Sequence, residues 1–447
     1  MALKIFFISL GCDKNLVDSE VMLGLVNEAG YVITSEEETA DVIVVNTCSF
    51  IHDAKEESIE TILEMAAYKE TGNCKALIVV GCLTERYREE LLEEMPEVDG
   101  ILGTTSYDEI VKAIEGALSK NKLVSFKDIN YSPTTTAKRM TSSTTAYAYL
   151  KISEGCNNRC TYCIIPQLRG NHRSRTMESL IEEATELVAS GKKELILVAQ
   201  DTTKYGTDLY KEKKLPELLE KLCLIDGLEW IRLLYCYPED ITQELIEVMA
   251  KEDKIVKYID IPIQHVNDDI LHDMARKSNK ATIVGVIEGL REQIPNICIR
   301  STLIVGFPGE TDAQFEELKQ FVENYEIDRL GVFTYSLEEG TIAAKMENQI
   351  EEAVKQKRRD ALMSVQQGIS LDQNLGMIGN DLDVIVEGYI PEDSVYCGRT
   401  YKDAPNVDGV IFFSCPFELI VGQIVKVHVE EANEYDLIGA IVDELSE

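Results

Sequence analysis

The sequence predicts an α/β protein made of three successive domains. Residues 1–140 and 141–375 alternate short apolar runs with amphipathic helical patterns, whereas residues 376–447 carry short β patterns without helices. The chain has 447 residues, of which 45% are hydrophobic, so it is long and apolar enough for several buried cores. We therefore expect a doubly wound α/β domain, an open (β/α)6 barrel and a small antiparallel β-barrel of OB-like type.

The first domain has the pattern of a parallel sheet covered on both faces. Continuous apolar runs are the expected strands, at Lys4–Leu10, Asp41–Asn46 and Ala76–Val80. Amphipathic patterns between them predict helices over Asp18–Ala29 and Glu57–Lys69. Strands joined through helices predict the doubly wound arrangement. A polar stretch at residues 131–145 is the expected linker to the second domain.

The second domain repeats a strand–helix pattern that fits an open barrel. The expected strands are Ala146–Ser153, Glu194–Gln200, Trp230–Cys236, Lys257–Gln264, Cys298–Phe307 and Arg329–Ser336. Sites on βα barrels lie at the C-terminal ends of the strands. The loop that follows the first of these strands is therefore a candidate site.

The third domain changes to a pattern of short β runs. A long predicted helix, Ile350–Asn374, leads into it. The expected strands are Leu382–Glu387, Val410–Phe413, Ile424–Glu430 and Leu437–Val442. Short strands without helices are typical of a small β-barrel.

Composition narrows the class of protein. The formal net charge is −35, which repels nucleic acid and attracts basic partners. No apolar stretch approaches the roughly 20 residues of a membrane span, so no membrane association is expected. The twelve cysteines come with no visible secretory leader, and residues 1–4 run directly into a strand. We expect a cytoplasmic protein whose cysteines serve metal chemistry.

Three cysteines at CxxxCxxC spacing follow the first barrel strand. They are Cys156, Cys160 and Cys163, which we call the loop triad. A structural zinc would need a fourth ligand, and His172 does not sit at finger spacing. If the loop triad holds a 4Fe–4S cluster, one iron lacks a protein ligand and is open to a substrate.

Three further cysteines follow the three apolar strands of the first domain. They are Cys12, Cys48 and Cys82, which we call the strand-end triad. Ligands of open α/β sheets gather at the carboxyl ends of strands, so these thiols are expected to converge on a second three-ligand cluster. The alternative is that they are small buried hydrophobic residues, which is a common role of cysteine.

The motifs around both triads resemble those of the radical S-adenosylmethionine (SAM) methylthiotransferases. The similar segments are Gly11–Glu20, Asn46–Cys48, Gly81–Cys82 and Glu154–Arg175. The resemblance covers essentially the whole chain, and it implies that the last domain is a TRAM domain. It also implies two 4Fe–4S clusters and SAM as cofactors, with SAM bound at the open iron of the loop triad. Reductive cleavage of SAM would then start radical chemistry, while the strand-end triad would hold the sulfur to be transferred.

The resemblance also implies further contacts to SAM. Tyr162 occupies the aromatic position expected near the adenine, and Gln200 and Asp201 end the second barrel strand. Gly306 and Glu310 belong to a Gly-rich motif after the fifth strand, although turn formation alone would also require such residues. Arg169, Arg173 and Arg175 form a local basic group that either neutralises carboxylates of SAM or substrate, or is a solvated surface run.

Within this family, the strings around Cys48, Cys156 and Arg169 resemble the branch that modifies an aspartate of small-subunit ribosomal protein twelve. The sister, MiaB-like branch modifies an adenosine in transfer RNA, and the cysteines do not distinguish the two. Residues 376–447 hold three basic and fifteen acidic residues, so nucleic-acid binding by this domain is not expected. The sequence therefore favours the ribosomal protein as substrate. An electron donor such as flavodoxin or ferredoxin is the other expected partner.

Overall fold

The structure, a computed structural model, describes residues 3–133 and 138–442. The chain folds into two compact units, each defined by the contacts among its own residues. The first unit comprises residues 1–144, 153–174 and 336–344, and the second comprises residues 145–152, 175–335 and 345–447. Residues 134–137 of the predicted linker, and residues 1–2 and 443–447 of the outer predicted domains, lie outside the described residues. The predicted domain boundaries at residues 140 and 375 stay a prediction, because the units divide the chain differently.

The first unit contains a six-stranded parallel sheet in the order β2-β1-β3-β4-β5-β6. Its strands are β1 Lys4–Ser9, β2 Val32–Ile33, β3 Val42–Thr47, β4 Ala76–Gly81, β5 Gly100–Leu102 and β6 Leu123–Ser125. Its helices are α1 Asp13–Glu28, α2 His52–Thr71, α3 Cys82–Tyr87, α4 Glu89–Glu94 and α5 Ile110–Leu118. Separate apolar cores form from the alternating residues of β3 and β4, one including Ile43 and Val45 and the other Val42 and Val44. The doubly wound α/β prediction is confirmed.

The sequence pattern located the three long central strands of this sheet and missed the short ones. β2, β5 and β6 have only two or three residues each, which is too short for a recognisable apolar run. Helix α1 also begins at Asp13, five residues before its predicted start. The polar residues of its first turns hid that start, since Lys14, Asn15 and Asp18 are buried rather than solvated.

The second unit contains the open parallel sheet of the predicted barrel, in the order β14-β13-β12-β11-β10-β7. Its strands are β7 Tyr147–Lys151, β10 Glu194–Val198, β11 Trp230–Leu233, β12 Ile255–Asp260, β13 Cys298–Val305 and β14 Arg329–Thr334. Its helices are α7 Met177–Ala189, α8 Leu215–Cys223, α9 Gln243–Lys251, α10 Asp268–Asp273, α11 Lys280–Gln293, α12 Asp312–Tyr325 and α13 Glu352–Leu375. The six predicted strands are all present and neighbouring, so the (β/α)6 arrangement is confirmed.

A closed five-stranded barrel follows α13 in the same unit. Its strands are β15 Asp381–Ile390, β16 Val395–Thr400, β17 Ile411–Ser414, β18 Ile424–Ala432 and β19 Leu437–Ile441. The small β-barrel prediction is confirmed, with two differences. Strand β16 was not predicted, and β17 pairs with β19 in parallel rather than antiparallel. No helix within the described ranges is long and apolar enough to cross a membrane.

Candidate metal centre

The strand-end triad lies at one edge of the first sheet. Cys12 comes three residues after the end of β1, Cys48 directly follows β3, and Cys82 begins α3 directly after β4. Strands β1, β3 and β4 are neighbours and parallel. Their carboxyl ends therefore meet, and the sheet topology brings together three thiols that are 36 and 34 residues apart in sequence.

Glycines before two of these cysteines make the close approach possible. Gly11 has φ +84°, and a Cβ atom there would lie 2.7 Å from Cβ and 3.0 Å from Sγ of Cys48. Gly81 has φ +105°, and a Cβ there would lie 2.7 Å from the carbonyl oxygen of Thr47. Any side chain at either position would be strained and would also collide with the neighbouring strand end. The two glycines thus hold the backbone turns tightly around the thiols.

The three thiols share one electrostatic environment. Burial raises the pKa of Cys82 to about 12, with Cys48 and Cys12 adding to the rise and Arg169 opposing it. Burial likewise raises the pKa of the Cys48 thiol. Cys12 is exposed, so the alternative that all three cysteines are buried hydrophobic residues is wrong for Cys12. A metal that binds such thiols deprotonates them outright, and this arrangement offers three ligands to one centre.

The number of thiols bears on the kind of metal centre. Each triad offers three, one fewer than the four-ligand shell of a structural zinc or of an ordinary 4Fe–4S cluster. A 4Fe–4S cluster held by three cysteines keeps one iron without a protein ligand. Within the described parts of the chain, no three His, Cys, Asp or Glu side chains are grouped as a single metal ion requires.

The loop triad lies on a loop that is closed at its base by a short antiparallel pair. Strands β8 Ser153–Glu154 and β9 Arg173–Ser174 form this pair, and helix α6 Ile165–Arg169 lies between them. The amide of Asn158 donates to the Sγ of Cys156 at 3.4 Å. Gly155 has φ +73°, and a Cβ there would lie 2.7 Å from the carbonyl oxygen of Gly170. Tyr162, the predicted adenine contact, is half-buried on this loop.

The first unit contains both triads. Leu168 of helix α6, and Ile164 directly before that helix, pack against Cys82. The hydroxyl of Thr104 donates to the carbonyl oxygen of Leu168 at 2.7 Å, and Thr104 is buried. The loop that belongs to the barrel in sequence is therefore part of the same unit as the strand-end triad.

Arg169 ends helix α6 and is 2% exposed. Its Nη1 donates to Asp18 Oδ2 at 2.6 Å and to Glu154 Oε2 at 3.1 Å, and its Nη2 donates to Asn15. Of the two alternatives for this basic group, the solvated surface run is wrong at Arg169, because two carboxylates and an amide enclose the guanidinium.

The other predicted SAM contacts lie in the second unit. Gln200 is half-buried after β10, and Asp201 is buried and pairs with Lys204 at 3.0 Å. Gly306 adopts φ +73° after β13. Its amide donates to one carboxylate oxygen of Glu310, and that oxygen also receives Arg358 Nη1 at 2.9 Å. The carboxylate of Glu310 therefore organises the turn after β13.

Sequence reasoning missed Asn15 and Asp18 as parts of the site. Asn15 donates to the carbonyl oxygens of Leu10 and Thr47, at 3.0 Å and 2.9 Å, and so ties the turn before Cys12 to the end of β3. Both residues lie in the segment Gly11–Glu20, which also contains Cys12. The available signal was the presence of polar residues at helix positions that face the sheet.

Three family models match successive parts of the chain. Residues 4–103 match the uncharacterized protein family UPF0004, residues 150–322 the radical SAM superfamily, and residues 378–442 the TRAM domain. Together these matches cover the strand-end triad, the loop triad and the closed β-barrel.

Curated relatives match over nearly the full chain. Ribosomal protein uS12 methylthiotransferase RimO of Lachnoclostridium phytofermentans is 57% identical over 98% of this chain and 99% of the relative. RimO of Acetivibrio thermocellus is 51% identical over 100% of both chains. Among solved structures, the radical SAM methyltransferase TsrM of Kitasatospora setae, with cobalamin and a [4Fe–4S] cluster bound, has a TM-score of 0.54 at 12% identity and covers 75% of each chain. That similarity shows the fold alone.

Proposed function

The chain belongs to the RimO family of radical-SAM methylthiotransferases, and we propose that it adds a methylthio group to an aspartate β-carbon of ribosomal protein uS12. It is an enzyme of the transferase class that uses two 4Fe–4S clusters and SAM. The 57% identity to a RimO protein over nearly the whole chain is the observation that carries the proposal. The presence of both cysteine triads in one unit supports it.

The six triad cysteines hold the two clusters. The loop triad would hold the cluster that binds SAM, and the strand-end triad would hold the auxiliary cluster at the edge of the sheet. When bound, these groups supply the one-electron chemistry, the sulfur site and the methyl group, which amino-acid side chains cannot provide. Tyr162, Gln200, Asp201, Gly306 and Glu310 stay predicted contacts to SAM.

The chain's own residues orient and shield these groups. Gly11 and Gly81 let the strand ends turn closely around the auxiliary site. Cys48, Cys82, Cys156 and Cys160 are buried, so most of the ligand thiols are removed from water. A protected site keeps reactive species from side reactions with solvent.

The closed β-barrel is proposed to dock the protein substrate. Of its three basic residues, Arg399 and Lys402 are buried, at 1% and 5% exposure. The third, Lys426, pairs with Asp383 at 3.0 Å. The acidic residues thus dominate its surface, which attracts a basic ribosomal protein and repels phosphates. This charge distribution favours uS12 over the MiaB-like alternative of an adenosine in transfer RNA, and nucleic-acid binding by this barrel is not expected.

The remaining partners follow from the chemistry. Reduction of the clusters needs a one-electron donor, and a flavodoxin or a ferredoxin is of the right class. Substrate and donor would both be met in the cytoplasm, where we place the protein.

The test is an anaerobic assay with two substrates offered in parallel. The protein is reconstituted with iron and sulfide and supplied with SAM and a reductant, together with recombinant uS12 and an adenosine-modified transfer RNA. We expect a methylthio mass gain on an aspartate of uS12 and none on the RNA. A mass gain on the RNA alone would show that the charge argument is wrong.

Two triple variants separate the roles of the triads. Replacing the loop triad with alanine should abolish SAM cleavage, whereas replacing the strand-end triad should abolish methylthiolation and leave some cleavage. Retention of SAM cleavage by the loop-triad variant would overturn the assignment of the clusters.

A further inference from the structure

We propose that Arg169 is a positioning residue that joins the two cysteine triads and sets the reduction potential of the auxiliary cluster with its buried positive charge. This inference rests on the proposed function, because it requires a cluster at the strand-end triad. It concerns a side chain that does not ligate iron and that acts through its neighbours.

The contacts of Arg169 connect the two triads. On one side it binds Glu154, which lies two residues before Cys156. On the other side it binds Asp18 and Asn15, which lie in the helix that starts directly after Cys12. The planar fork of a guanidinium can hold several acceptors in fixed directions, which a flexible ammonium does not do. Displacement of either loop would therefore break a buried charge-assisted hydrogen bond.

The charge of Arg169 also acts on the strand-end triad. Asn15 Oδ1 accepts from Arg169 Nη2 and also from the Sγ of Cys82, at 3.9 Å, so a single atom lies between the guanidinium and this thiol. Arg169, Asn15 and Cys82 are all buried. A fixed positive charge at this place stabilises a cluster more when it carries an extra electron. The positive charge of Arg169 should therefore raise the reduction potential of the auxiliary cluster.

Asp18 supplies the opposite perturbation. It is buried and pairs with the same guanidinium at 2.6 Å, and its own negative charge disfavours the reduced cluster. Asp18→Asn keeps the size of the side chain and an acceptor oxygen while removing that charge. Loss of the positive charge and loss of the negative charge should therefore move the potential in opposite directions.

Glu20 of helix α1 and Arg139 form a matched control pair. Arg139 binds Glu20 in the same unit, and their side chains are 5% and 4% exposed, against 2% and 5% for Arg169 and Asp18. Glu20 is bonded by Arg139 and Ser142, whereas Arg169 bonds Asn15, which Cys82 also contacts. Arg139→Met and Glu20→Gln thus disturb an ion pair of similar burial at a different place in the same unit.

The experiment is a potentiometric titration followed by electron paramagnetic resonance. It uses the full-length reconstituted chain in which the loop triad is replaced by alanine, so that a single cluster is observed. Arg169→Met should lower the midpoint potential by at least the equivalent of a tenfold change in the reduction equilibrium, about 59 mV for one electron. Asp18→Asn should raise the midpoint potential. Arg169→Lys keeps the positive charge, so its potential should stay close to that of the reference protein. The two control variants should leave the potential unchanged.

The outcomes separate this inference from the proposed function. A cluster that is present in the reference protein but has the same potential in the Arg169→Met and Asp18→Asn variants would overturn the role of Arg169 alone. Should Arg169→Met not fold, Asp18→Asn against Glu20→Gln decides the question by itself. Absence of iron in the reference protein would overturn both the auxiliary cluster and the inference built on it.

Discussion

A buried ion cluster in the second unit allows a quantitative test of the packing of the closed β-barrel. Arg399 of β16 donates through Nη2 to Glu194 Oε2 at 2.6 Å, and through Nε to Glu387 Oε1 at 2.6 Å. Arg232 of β11 binds the other oxygen of Glu194 at 2.7 Å. One buried carboxylate is thus held between a cation of the open barrel and a cation of the closed barrel. The perturbation is Arg399→Met, which keeps an apolar stem of similar length.

The expected magnitude follows from burial. Glu194 and Arg399 are 0% and 1% exposed, so the lost partner is not replaced by water. Removing one member of a buried pair costs about 3–5 kcal/mol where the partner's charge is left uncompensated, and here Arg232 Nε bonds Oε1 of Glu194 while Arg399 bonds Oε2. Lys426 and Asp383 form a pair in the same closed barrel, with 41% and 63% exposure. An exposed pair contributes about 0–1 kcal/mol, so Lys426→Met is the matched control.

The chain contains a natural probe for the assay. Its single tryptophan, Trp230, pairs with Glu194 across the β10–β11 ladder. Urea unfolding followed by tryptophan fluorescence therefore reports on the neighbourhood of the perturbed pair. We expect a free energy of unfolding lower by about 3–5 kcal/mol for Arg399→Met and by less than about 1 kcal/mol for Lys426→Met.

The comparison of the two variants decides whether the reasoning holds. Equal losses in both variants would show that burial does not govern the contribution of this pair. A loss below about 1 kcal/mol for Arg399→Met would show that Glu194 is adequately compensated by Arg232 alone.

Two other predictions concern Glu194 and the auxiliary site. Burial raises the pKa of Glu194, but Arg399 and Arg232 together outweigh it and hold that pKa below the ordinary value of 4.5. The stability that this ionised pair contributes is present above pH 4.5 and is lost as the pH falls below that value. Glu194→Gln should therefore flatten the acid side of a plot of unfolding free energy, measured by Trp230 fluorescence, against pH. An unchanged plot would show that other groups cause the acid sensitivity. Gly11→Ala should lower iron content at the strand-end triad, since its Cβ would lie 2.7 Å from Cys48. The control is Gly30→Ala, which has nearly the same φ of +85° with nothing within 4 Å, and equal iron loss in both would refute the steric explanation.

Much of the fold could be predicted from the sequence, as could the meeting of Cys12, Cys48 and Cys82 at one sheet edge, because the signals for the strands are local. The cysteines of the loop triad lie within eight consecutive residues, so their spacing can be recognised in the sequence. Strands β1, β3 and β4 are long apolar runs, and Cys12, Cys48 and Cys82 follow their ends. The six barrel strands repeat the same kind of run. Strand β16 was not predicted because its residues include glycine, arginine and threonine, and its apolar positions do not form a clear alternation.

The tertiary structure decided which distant residues meet. Arg169 is 151 residues from Asp18 in sequence. The residues next to Arg169 in the chain do not show that its guanidinium is buried, so a solvated arginine was equally consistent with the sequence. The same holds for Glu194 and Arg399, which are 205 residues apart, and for Glu310, whose carboxylate is engaged by Gly306 and Arg358. Periodicity and spacing report the neighbours along the chain. Burial and ion pairing depend on packing between segments far apart in sequence, and only the folded structure brings those segments together.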